Sequence, residues 1–553
     1  MAEGEISVLV GGRAGEGIAS AGQVIAHLLG QNGYRVYMDL DYPSLIKGGH
    51  NFAIVRAVPG AVGAVREKVD FILAMNQESS DLHASRLTGR GATIFDTGTA
   101  KVPGGIGIPV NEILTAEKAP AVMANSVMIG AFVRAAGIRW EFAEAVLRKN
   151  IPKGIDQNLR VARRGYDASE ERMVVAPTGK PVLPSMTGNE AMGIGLVEGD
   201  LETYFAYPMS PTSNLLHFLA ATADETKVRV IQPESEIAVI LMALGCAYAG
   251  TRAAIGTSGG GFCLMTEALG LAGIAELPLV LVLGQRAGPS TGLATYTAQS
   301  DLHFALNAGQ GEFPRLIVAP GDADESRAWS TVAMDLAWKY QLPAIILTDR
   351  IVCEGVYSMD PAAVAVRQAQ PVLADTTHHP YDRYDLTESG ISPMRFPPAK
   401  DEIIKVNSHV HDPDGITTEN PAVTKAMADK RMKKGEGLRT EIEGMSPVNV
   451  VGDKSAKTAL LCWGSTKGIC GEIGIRMGLR VVQPVVLSPF PEKAFAAAMD
   501  GVDRFYAVET NESGQLARLV SQYGYRAERK ILKYDGRPFT IEELEAEVRK
   551  VIA

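Results

Sequence analysis

The sequence predicts an α/β fold with three α/β units, because short apolar strands repeatedly run into glycine-rich turns and then into helical patterns. Glycine is abundant, at 57 residues, whereas aromatic residues make up only 6% of the chain. This composition favours layered α/β units over a β-sandwich or an aromatic RNA-binding platform. At roughly 100–200 residues per domain, a chain of 553 residues has room for three such units.

Charge and hydropathy exclude several classes of protein. The chain has 54 basic and 63 acidic residues and a formal charge of −9, which argues against a protein that coats nucleic acid or an anionic membrane. No apolar run approaches the ~20 residues that span a bilayer. The first five residues include two acids, Glu3 and Glu5, and no basic segment of a secretory signal. We therefore expect a cytoplasmic protein that binds neither nucleic acid nor membrane.

The cysteines do not have the spacing of a zinc or iron–sulfur site. All lie in apolar surroundings, so we expect buried free thiols; they are Cys246, Cys263, Cys353, Cys462 and Cys470. Any metal or redox centre must therefore come from elsewhere, and we expect no metal ligands in this chain.

Apolar periodicity predicts the main elements of the three units. The predicted strands are 6–10, 36–37, 53–56, 71–74, 93–96, 253–255, 279–283, 316–318, 344–347, 458–462 and 505–508. The predicted helices are 18–29, 236–249 and 541–551. The expected domains are 1–178, 186–356 and 456–553. Residues 357–455 hold many prolines and the basic stretch Lys430–Lys434, and we expect a connector on the surface of the other domains.

A glycine-rich turn follows the first predicted strand and precedes a helix. Gly12, Gly15 and Gly17 would let backbone N–H groups approach an anion at the start of the helix. Their spacing differs from the dinucleotide fingerprint, and no P-loop lysine follows, so a tight turn that binds nothing is an equal alternative. A second loop contains Lys47 and two glycines; it suits a phosphate, or holds only a solvated lysine.

The central unit contains a glutamate at the head of an almost wholly apolar helix. The run from Glu236 to Gly245 predicts a helix buried on most sides. A buried carboxylate needs a partner, and a heterocyclic nitrogen of a cofactor would supply one. The alternative is a first-turn glutamate that favours the helix dipole. Gly245 would let another element pack closely, and Glu234, two residues earlier, could be confused with Glu236.

Three further loops of this unit suit an anionic ligand. The loop 207–213 places hydroxyl groups between two prolines and a helix, and 256–262 is a glycine-rich turn between a strand and a helix. Arg286 follows an apolar strand, where its guanidinium could hold a carboxylate. A structural ion pair is the alternative for Arg286.

Together these motifs resemble the 2-oxoacid:ferredoxin oxidoreductases, specifically the large subunit that fuses the gamma and alpha parts, and most of all the 2-oxoglutarate:ferredoxin oxidoreductase alpha subunit. The resemblance covers nearly the whole chain and includes the segments Gln299–Leu302 and Glu509–Gln515. It implies a gamma-type domain over 1–178, a pyrimidine-binding domain for thiamine diphosphate over 186–356 and a transketolase C-terminal-like domain over 456–553.

The resemblance also implies roles for individual residues. Glu236 would hydrogen-bond N1′ of the aminopyrimidine, and its spacing to Gly245 selects it over Glu234. The other implied roles are substrate binding by Ser210, Arg286 and Thr257, framing of thiamine diphosphate by Tyr207, Pro208, Gly259 and Phe262, and coenzyme A binding by Gly12, Gly15, Gly17 and Lys47. The chain departs from the family pattern at Ser210, Gly260 and Lys47, where threonine, proline and arginine are more usual. The departure at Lys47 weakens the coenzyme A assignment.

The sequence has no Gly-Asp-Gly motif for the Mg²⁺ that holds the diphosphate, and no cysteine cluster. The resemblance therefore implies half of an active site. A beta subunit would supply the Mg²⁺–diphosphate half and a [4Fe–4S] cluster in an (αβ)₂ complex. The implied reaction is oxidative decarboxylation of a 2-oxo acid with coenzyme A, reducing ferredoxin, with 2-oxoglutarate the expected substrate. The alternatives are pyruvate or branched-chain substrates, another class of thiamine enzyme, and a non-catalytic coenzyme-binding subunit.

Overall fold

Runs of apolar residues form the central strands, as expected where helices cover both faces of a sheet. The segments Leu279–Gln285 and Pro343–Asp349 are buried at every position. The computed structural model describes residues 4–43, 49–151, 153–362, 371–374, 380–399 and 402–552.

The N-terminal part of the chain alternates strands and helices. Its strands are β1 (Ile6–Arg13), β2 (Arg35–Asp41), β3 (His50–Val58), β4 (Val69–Ala74), β5 (Leu87–Asp96), β6 (Ile106–Ile108) and β7 (Ser185–Thr187). Its helices are α1 (Ile18–Gln31), α2 (Gln77–His83), α3 (Val110–Ala116), α4 (Ala124–Ala135), α5 (Trp140–Asn150) and α6 (Ile155–Asp167).

The middle of the chain continues this alternation. Its strands are β8 (Thr203–Ala206), β9 (Arg229–Ile231), β10 (Ala253–Ser258), β11 (Leu279–Gln285), β12 (Leu316–Val318) and β13 (Pro343–Asp349). Its helices are α7 (Gly188–Glu198), α8 (Ser213–Ala221), α9 (Ala223–Thr226), α10 (Glu236–Tyr248), α11 (Gly259–Ile274), α12 (Leu302–Asn307), α13 (Ala323–Tyr340) and α14 (Arg350–Glu354).

The last part of the chain contains the remaining elements. Its strands are β14 (Val356–Ser358), β15 (Val448–Gly452), β16 (Thr458–Leu461), β17 (Arg480–Pro484), β18 (Val486–Ser488), β19 (Arg504–Glu509) and β20 (Arg529–Leu532). Its helices are α15 (Pro421–Glu443), α16 (Thr466–Met477), α17 (Glu492–Met499), α18 (Gln515–Ser521) and α19 (Ile541–Ile552).

The α/β fold class is confirmed, because these strands form three sheets with helices between them. The described chain packs as two units. One holds the chain up to Thr187 together with 354–360 and 539–552, and the other holds 188–353 and 361–538.

The first unit contains an eight-stranded mixed sheet in the order β6-β5-β4-β1-β3-β2-β14-β7. The pairs from β6 to β1 are parallel, and those from β1 to β7 are antiparallel. In addition to β14, α19 returns to this unit from far along the sequence. There the Ile541 amide donates to Val65, and Arg66 forms an ion pair of 2.8 Å with Glu542.

The second unit contains a seven-stranded sheet in the order β18-β12-β13-β11-β10-β8-β9. All its pairs are parallel except that of the edge strand β18 with β12. The unit also contains a five-stranded sheet in the order β15-β17-β16-β19-β20. One hydrophobic core includes side chains from both sheets, such as Leu281 and Leu461.

The prediction of a surface connector is wrong for Lys430 and Lys434, although Met432 and Lys433 between them are exposed. These residues lie in α15, and Lys430 and Lys434 are only 3% and 1% exposed. Both ammonium groups lie 2.6 Å from the carboxylate of the fully buried Glu276. A buried acid in the second unit therefore holds one side of this helix against the core, while the other side is exposed.

The cysteine prediction is confirmed for three positions and wrong for one. Cys353, Cys462 and Cys470 are buried free thiols, Cys246 is half-buried, and Cys263 is exposed on α11. In the parts of the chain that the structure describes, no helix has both the length and the apolar character needed to cross a bilayer.

Candidate active site

The predicted loops of the second unit leave one edge of its parallel sheet. The strands β8, β10 and β11 end at Ala206, Ser258 and Gln285, directly before the loops with Tyr207, Gly259 and Arg286. Because parallel strands end at a common edge, the structure places these loops together. From β8 the chain continues to β9 on one side, and from β10 to β11 on the other. Ligands bind at such a reversal of direction in open α/β sheets.

Glu236 is the first residue of α10, and its side chain is turned inward. The Ser235 side chain caps the helix by accepting a hydrogen bond of 3.3 Å from the Ala238 amide. Glu236 is only 5% exposed. A Cβ built on Gly261 would lie 2.8 Å from Glu236 Oε1 and 2.2 Å from Thr257 Oγ1. Only glycine therefore leaves space for both side chains at the first turn of α11.

The Glu236 carboxylate has neither an ion pair nor a side-chain hydrogen bond among the described residues. Its oxygens are not enclosed without a partner, so they still reach solvent in the open site. The position therefore suits a bound group that shares a proton with the carboxylate, which is the chemistry of an aminopyrimidine nitrogen. The residues present fit that cofactor fragment.

The prediction that α10 is buried on most sides is wrong within the described chain. Ile237, Leu241 and Met242 are 48%, 43% and 45% exposed. A Cβ built on Gly245 would meet nothing within 4 Å, so the expected close neighbour does not come from the described residues. Helical spacing places these four residues on one side of the helix, which we call the α10 face.

Thr257 and Phe262 are both fully buried at the site's inner side. The Thr257 hydroxyl lies 3.9 Å from Met209 Sδ. The Phe262 ring packs edge-on against Phe304, with 4.9 Å between the ring centroids. Phe262 is thus part of the hydrophobic core, where it supports α11. Its predicted role in framing the cofactor stays a prediction, as does substrate binding by Thr257.

The loop after β8 lies against the loop after β10. Met209 Sδ lies 3.2 Å from Ser258 Oγ, a contact that the sequence reasoning missed because methionine in a loop carries no motif. Tyr207 is exposed, whereas Pro208 and Ser210 are half-buried. These three remain predicted site residues, and the structure brings them to the same edge as Glu236.

Arg286 follows β11 directly and reaches across to the loop after β8. Its Nη1 donates a hydrogen bond of 3.4 Å to the Ser210 carbonyl. Burial lowers the pKa of the Arg286 guanidinium, and nearby Asp301 opposes that shift. Arg286 has no direct ion pair within the described parts of the chain. The alternative role of Arg286 in a structural ion pair therefore finds no support.

Asp301 is a candidate functional residue that the sequence reasoning missed. A Cβ built on Gly259 would lie 2.7 Å from Asp301 Oδ2, so this glycine lets the carboxylate approach the start of α11. Burial raises the pKa of Asp301 to about 6, and Arg286 acts in the opposite direction. The only signal in the sequence is its place in the segment Gln299–Leu302.

The segment around Asp301 is attached to the C-terminal part of the second unit. The Gln299 side chain donates to the Trp463 carbonyl (2.6 Å) and accepts from the Thr510 amide (2.9 Å). The Gln515 side chain donates to the Ser300 carbonyl (2.7 Å). The C-terminal part of the second unit therefore holds a loop of the site in place.

The glycine-rich turn of the first unit leads from β1 into α1, but Gly12, predicted to lie in the turn, is still part of β1. Gly15 is exposed with φ +92°, and Gly17 is the N-cap of α1 with φ +72°. Glu16 Oε2 accepts a hydrogen bond of 2.6 Å from the Arg13 amide and would lie 2.6 Å from a Cβ on Gly12. The Glu16 carboxylate thus occupies the Arg13 amide, which is one of the N–H donors of this loop.

Two other predictions concern this unit and metal binding. Lys47 lies outside the described residues, so its assignment to coenzyme A stays a prediction. Within the described ranges, no group of three or more histidine, cysteine, aspartate or glutamate side chains is arranged to hold a metal ion.

Two protein families match different parts of the chain. The family described as pyruvate flavodoxin/ferredoxin oxidoreductase, thiamine diP-bdg, matches residues 194–430. The family described as pyruvate ferredoxin/flavodoxin oxidoreductase matches residues 7–168.

Individual relatives cover most or nearly all of the chain. It is 30% identical to a 2-oxoacid:ferredoxin oxidoreductase subunit alpha from Sulfolobus sp, over 99% of this chain and 97% of the relative. It is 29% identical to the 2-oxoglutarate oxidoreductase subunit KorA of Mycobacterium tuberculosis, over 75% of this chain and 66% of the relative. A solved 2-oxoglutarate:ferredoxin oxidoreductase from Magnetococcus marinus, with 2-oxoglutarate, coenzyme A and succinyl-CoA bound, is 28% identical. The match has a TM-score of 0.89 and covers 99% of this chain and 100% of that chain.

Proposed function

Because the chain belongs to the family of 2-oxoacid:ferredoxin oxidoreductase alpha subunits, we propose that it holds the aminopyrimidine end of thiamine diphosphate at Glu236 and uses that cofactor to decarboxylate 2-oxoglutarate. The observation that carries this proposal is the almost wholly buried Glu236 side chain, whose carboxylate has no partner among the described residues and lies beside a glycine that leaves room for it. When bound, thiamine diphosphate supplies the nucleophilic carbon and the electron sink that the reaction needs.

In this proposal the chain's own residues orient the substrate and handle one proton. Glu236 shares a proton with N1′ of the aminopyrimidine, which is general acid–base work for a buried carboxylate. Arg286 and Ser210 hold the carboxylate next to the 2-oxo group. The burial of Thr257 and Phe262 excludes water from the inner side of the site.

The α10 face supports the proposed partner. Ile237, Leu241 and Met242 form an exposed apolar strip that begins one residue after Glu236, and such strips occur at subunit interfaces. We assign this face to a beta subunit that supplies the Mg²⁺–diphosphate half of the site and a [4Fe–4S] cluster. The assembly is (αβ)₂, and ferredoxin accepts the electrons.

The glycine-rich turn of the first unit is the proposed site for coenzyme A. Gly15 has open space around it, and the exposed Arg13 adds a cation to the turn. The Glu16 carboxylate must leave the Arg13 amide before a phosphate can use it, since both are anions competing for one donor. Lys47 is the second proposed contact.

The choice of 2-oxoglutarate rests on relatives. The Magnetococcus marinus structure contains 2-oxoglutarate, and the Mycobacterium tuberculosis relative is named for it. Pyruvate and branched-chain 2-oxo acids are the competing substrates. Anaerobic, coenzyme-A-dependent viologen reduction by the complex with its beta subunit should be fastest with 2-oxoglutarate. A strong preference for another acid would correct the substrate and leave the reaction intact.

The direct test of Glu236 is the Glu236→Gln variant of that complex. An amide cannot exchange the proton that N1′ needs, so turnover should fall at least ~100-fold. Glu234→Gln is the matched control, because Glu234 lies two residues earlier and is exposed. It should retain wild-type turnover. Equal activity of both variants would refute the assignment of Glu236.

A further inference from the structure

Asp301 and Arg286 carry opposite charges at the same edge of the sheet, yet neither neutralises the other directly. Both are partly withdrawn from solvent, and each influences the pKa of the other. No ion pair joins them within the described residues. Arg286 donates only to the Ser210 carbonyl, which is neutral. Each charged group therefore retains capacity for a further partner.

The backbone around Asp301 is fixed from two sides, so its carboxylate has little freedom to move away. The Asp301 amide donates to Gln285 Oε1 (2.9 Å), on the strand that precedes Arg286. Gln285 in turn donates to the Thr348 carbonyl (3.2 Å) on β13. Gly259 opens the start of α11 to the carboxylate. The positions of both charges thus depend on the end of a single strand, β11.

Few other titratable groups face this pair. Glu236 lies at the start of α10, on the far side of the first turn of α11. Burial lowers the pKa of His303, on α12. The charged groups that influence this pKa are Arg518 and Glu509 rather than Arg286. Among the residues that the structure describes, Arg286 is the one charged group that acts on Asp301.

We propose that Asp301 is a positioning residue that shares Arg286 with the incoming 2-oxo acid and takes up one proton when the acid binds. The proposal rests on the assignment of Arg286 as the carboxylate clamp. Before binding, the ionised Asp301 offsets the charge of Arg286 through space, without a direct ion pair. A second carboxylate beside them would leave a net negative charge in a desolvated site, which is unfavourable. A proton from solvent on Asp301 restores neutrality, with Arg286 paired to the substrate.

Proton uptake on binding makes the affinity for the 2-oxo acid depend on pH in one direction. A bound anion raises the pKa of Asp301 above its free value of about 6, so the complex binds more protons than the free protein. Binding is therefore strongest below pH 6 and weakens as the pH rises through that value. With one proton linked, the apparent Kd rises by up to about tenfold per pH unit.

Calorimetry of the wild-type complex tests this without any variant. The ligand is an unreactive isostere with an amide nitrogen next to the oxo carbon, N-oxalylglycine for 2-oxoglutarate or oxamate for pyruvate. The titrations are made at pH 7 in phosphate and in Tris, without coenzyme A. Because the two buffers have different heats of ionisation, the difference between the two heats of binding gives the number of protons taken up. We expect close to one proton per site. An equal heat of binding in both buffers would overturn the inference.

Asp301→Asn gives a second test, because the amide mimics the protonated acid. The variant should take up no proton, and its Kd should stay constant from pH 6 to 8. At pH 8, two pH units above the free pKa of about 6, it should bind the isostere at least about 50-fold more tightly than wild type. A purely structural role would change thermal stability but not the slope of Kd against pH.

Asp349→Asn is the matched control. Asp349 ends the neighbouring strand and has a pKa raised by burial, but its carboxylate accepts hydrogen bonds from Ser465 and the Ile351 amide. It should retain proton uptake. Arg286→Gln separates this inference from the proposed function. If Arg286→Gln leaves the affinity for the isostere unchanged, the assignment of Arg286 as the carboxylate clamp is wrong. If Arg286→Gln weakens binding while wild type takes up no proton, only the role of Asp301 is wrong.

Discussion

At the scale of single residues, the site depends on glycines, which leave space for the side chains of other residues. Gly261 leaves the space that Glu236 and Thr257 occupy, and Gly259 leaves space for Asp301. Two carboxylates can therefore approach the first turn of one helix, although a Cβ at either glycine would be too close to them. Gly260, between these two glycines, is exposed and has nothing within 4 Å of a built Cβ.

This contrast predicts opposite outcomes for two adjacent alanine substitutions. Gly261→Ala should push Glu236 out of place and cost about 1–3 kcal/mol, so the purified complex should lose most of its thiamine. Gly260→Ala in the isolated chain should be neutral or stabilise the helix by about 0.5–1 kcal/mol. Thiamine released on denaturation and thermal melting measure both effects. Full thiamine content in Gly261→Ala would contradict the placement of Glu236.

At the scale of elements, the α10 helix serves two purposes at once. Its buried side packs Val239, Ile240 and Ala243 into the core of the second unit. Its other side is the α10 face, which is equally apolar but exposed. A helix that is apolar all round normally lies in the interior of a protein, so the exposed half indicates an interface that the described residues leave uncovered.

Charge on the α10 face should block assembly without unfolding the chain. Leu241→Lys places an ammonium group where the beta subunit is expected, and its desolvation should reduce association at least about tenfold. Because Leu241 is 43% exposed, the isolated chain should melt at its usual temperature. Light scattering after gel filtration of the co-expressed subunits measures association. Ile475→Lys, at an exposed isoleucine of α16, is the control, and an intact complex with Leu241→Lys would exclude this face.

At the scale of the whole molecule, buried charges attach α15 to the second unit. Glu276 contacts Lys430 and Lys434, and the fully buried Lys434 ammonium also donates to the Gln341 carbonyl (3.0 Å). Burial opposes ionisation of Glu276, but the two ammonium groups outweigh it and hold the pKa of the carboxyl well below 4.5. Burial lowers the pKa of Lys434 to about 8, with Glu276 opposing.

Glu276→Gln should be strongly destabilising, since it leaves two buried ammonium groups unpaired. The expected loss is about 3–5 kcal/mol, measured by denaturant unfolding at pH 7. Arg439→Gln removes an exposed ion pair of the same helix, with Glu492, and should change stability by less than about 1 kcal/mol. Similar losses in both variants would contradict this role of the buried cluster.

The Glu276 carboxylate also predicts how the free energy of unfolding changes at acidic pH. A depressed pKa contributes stability above the ordinary value of 4.5, and that contribution is lost as the pH falls below it. Wild type should therefore lose stability below pH 4.5 more steeply than Glu276→Gln. Parallel profiles would show that other groups dominate acid unfolding.

Local patterns in the sequence predicted much of the fold. Apolar runs and glycine turns located α1, α10, α19 and the predicted strands, because periodicity and turn chemistry act over a few neighbouring residues. The same reasoning placed Glu236 at a helix start and Arg286 at a strand end. It could not find Asp301, whose importance comes from Gly259 and Arg286, both distant in sequence.

The sequence by itself determined the α/β class, many of the strands and three of the helices, and the residues that lead to a family of oxidoreductases. Only the tertiary structure decided which apolar faces are covered and which buried charges meet. It left the α10 face exposed, turned Lys430 and Lys434 inward, and brought β14 and α19 back to the first unit. The physical reason is that burial and electrostatic pairing depend on neighbours in space, which local periodicity does not encode.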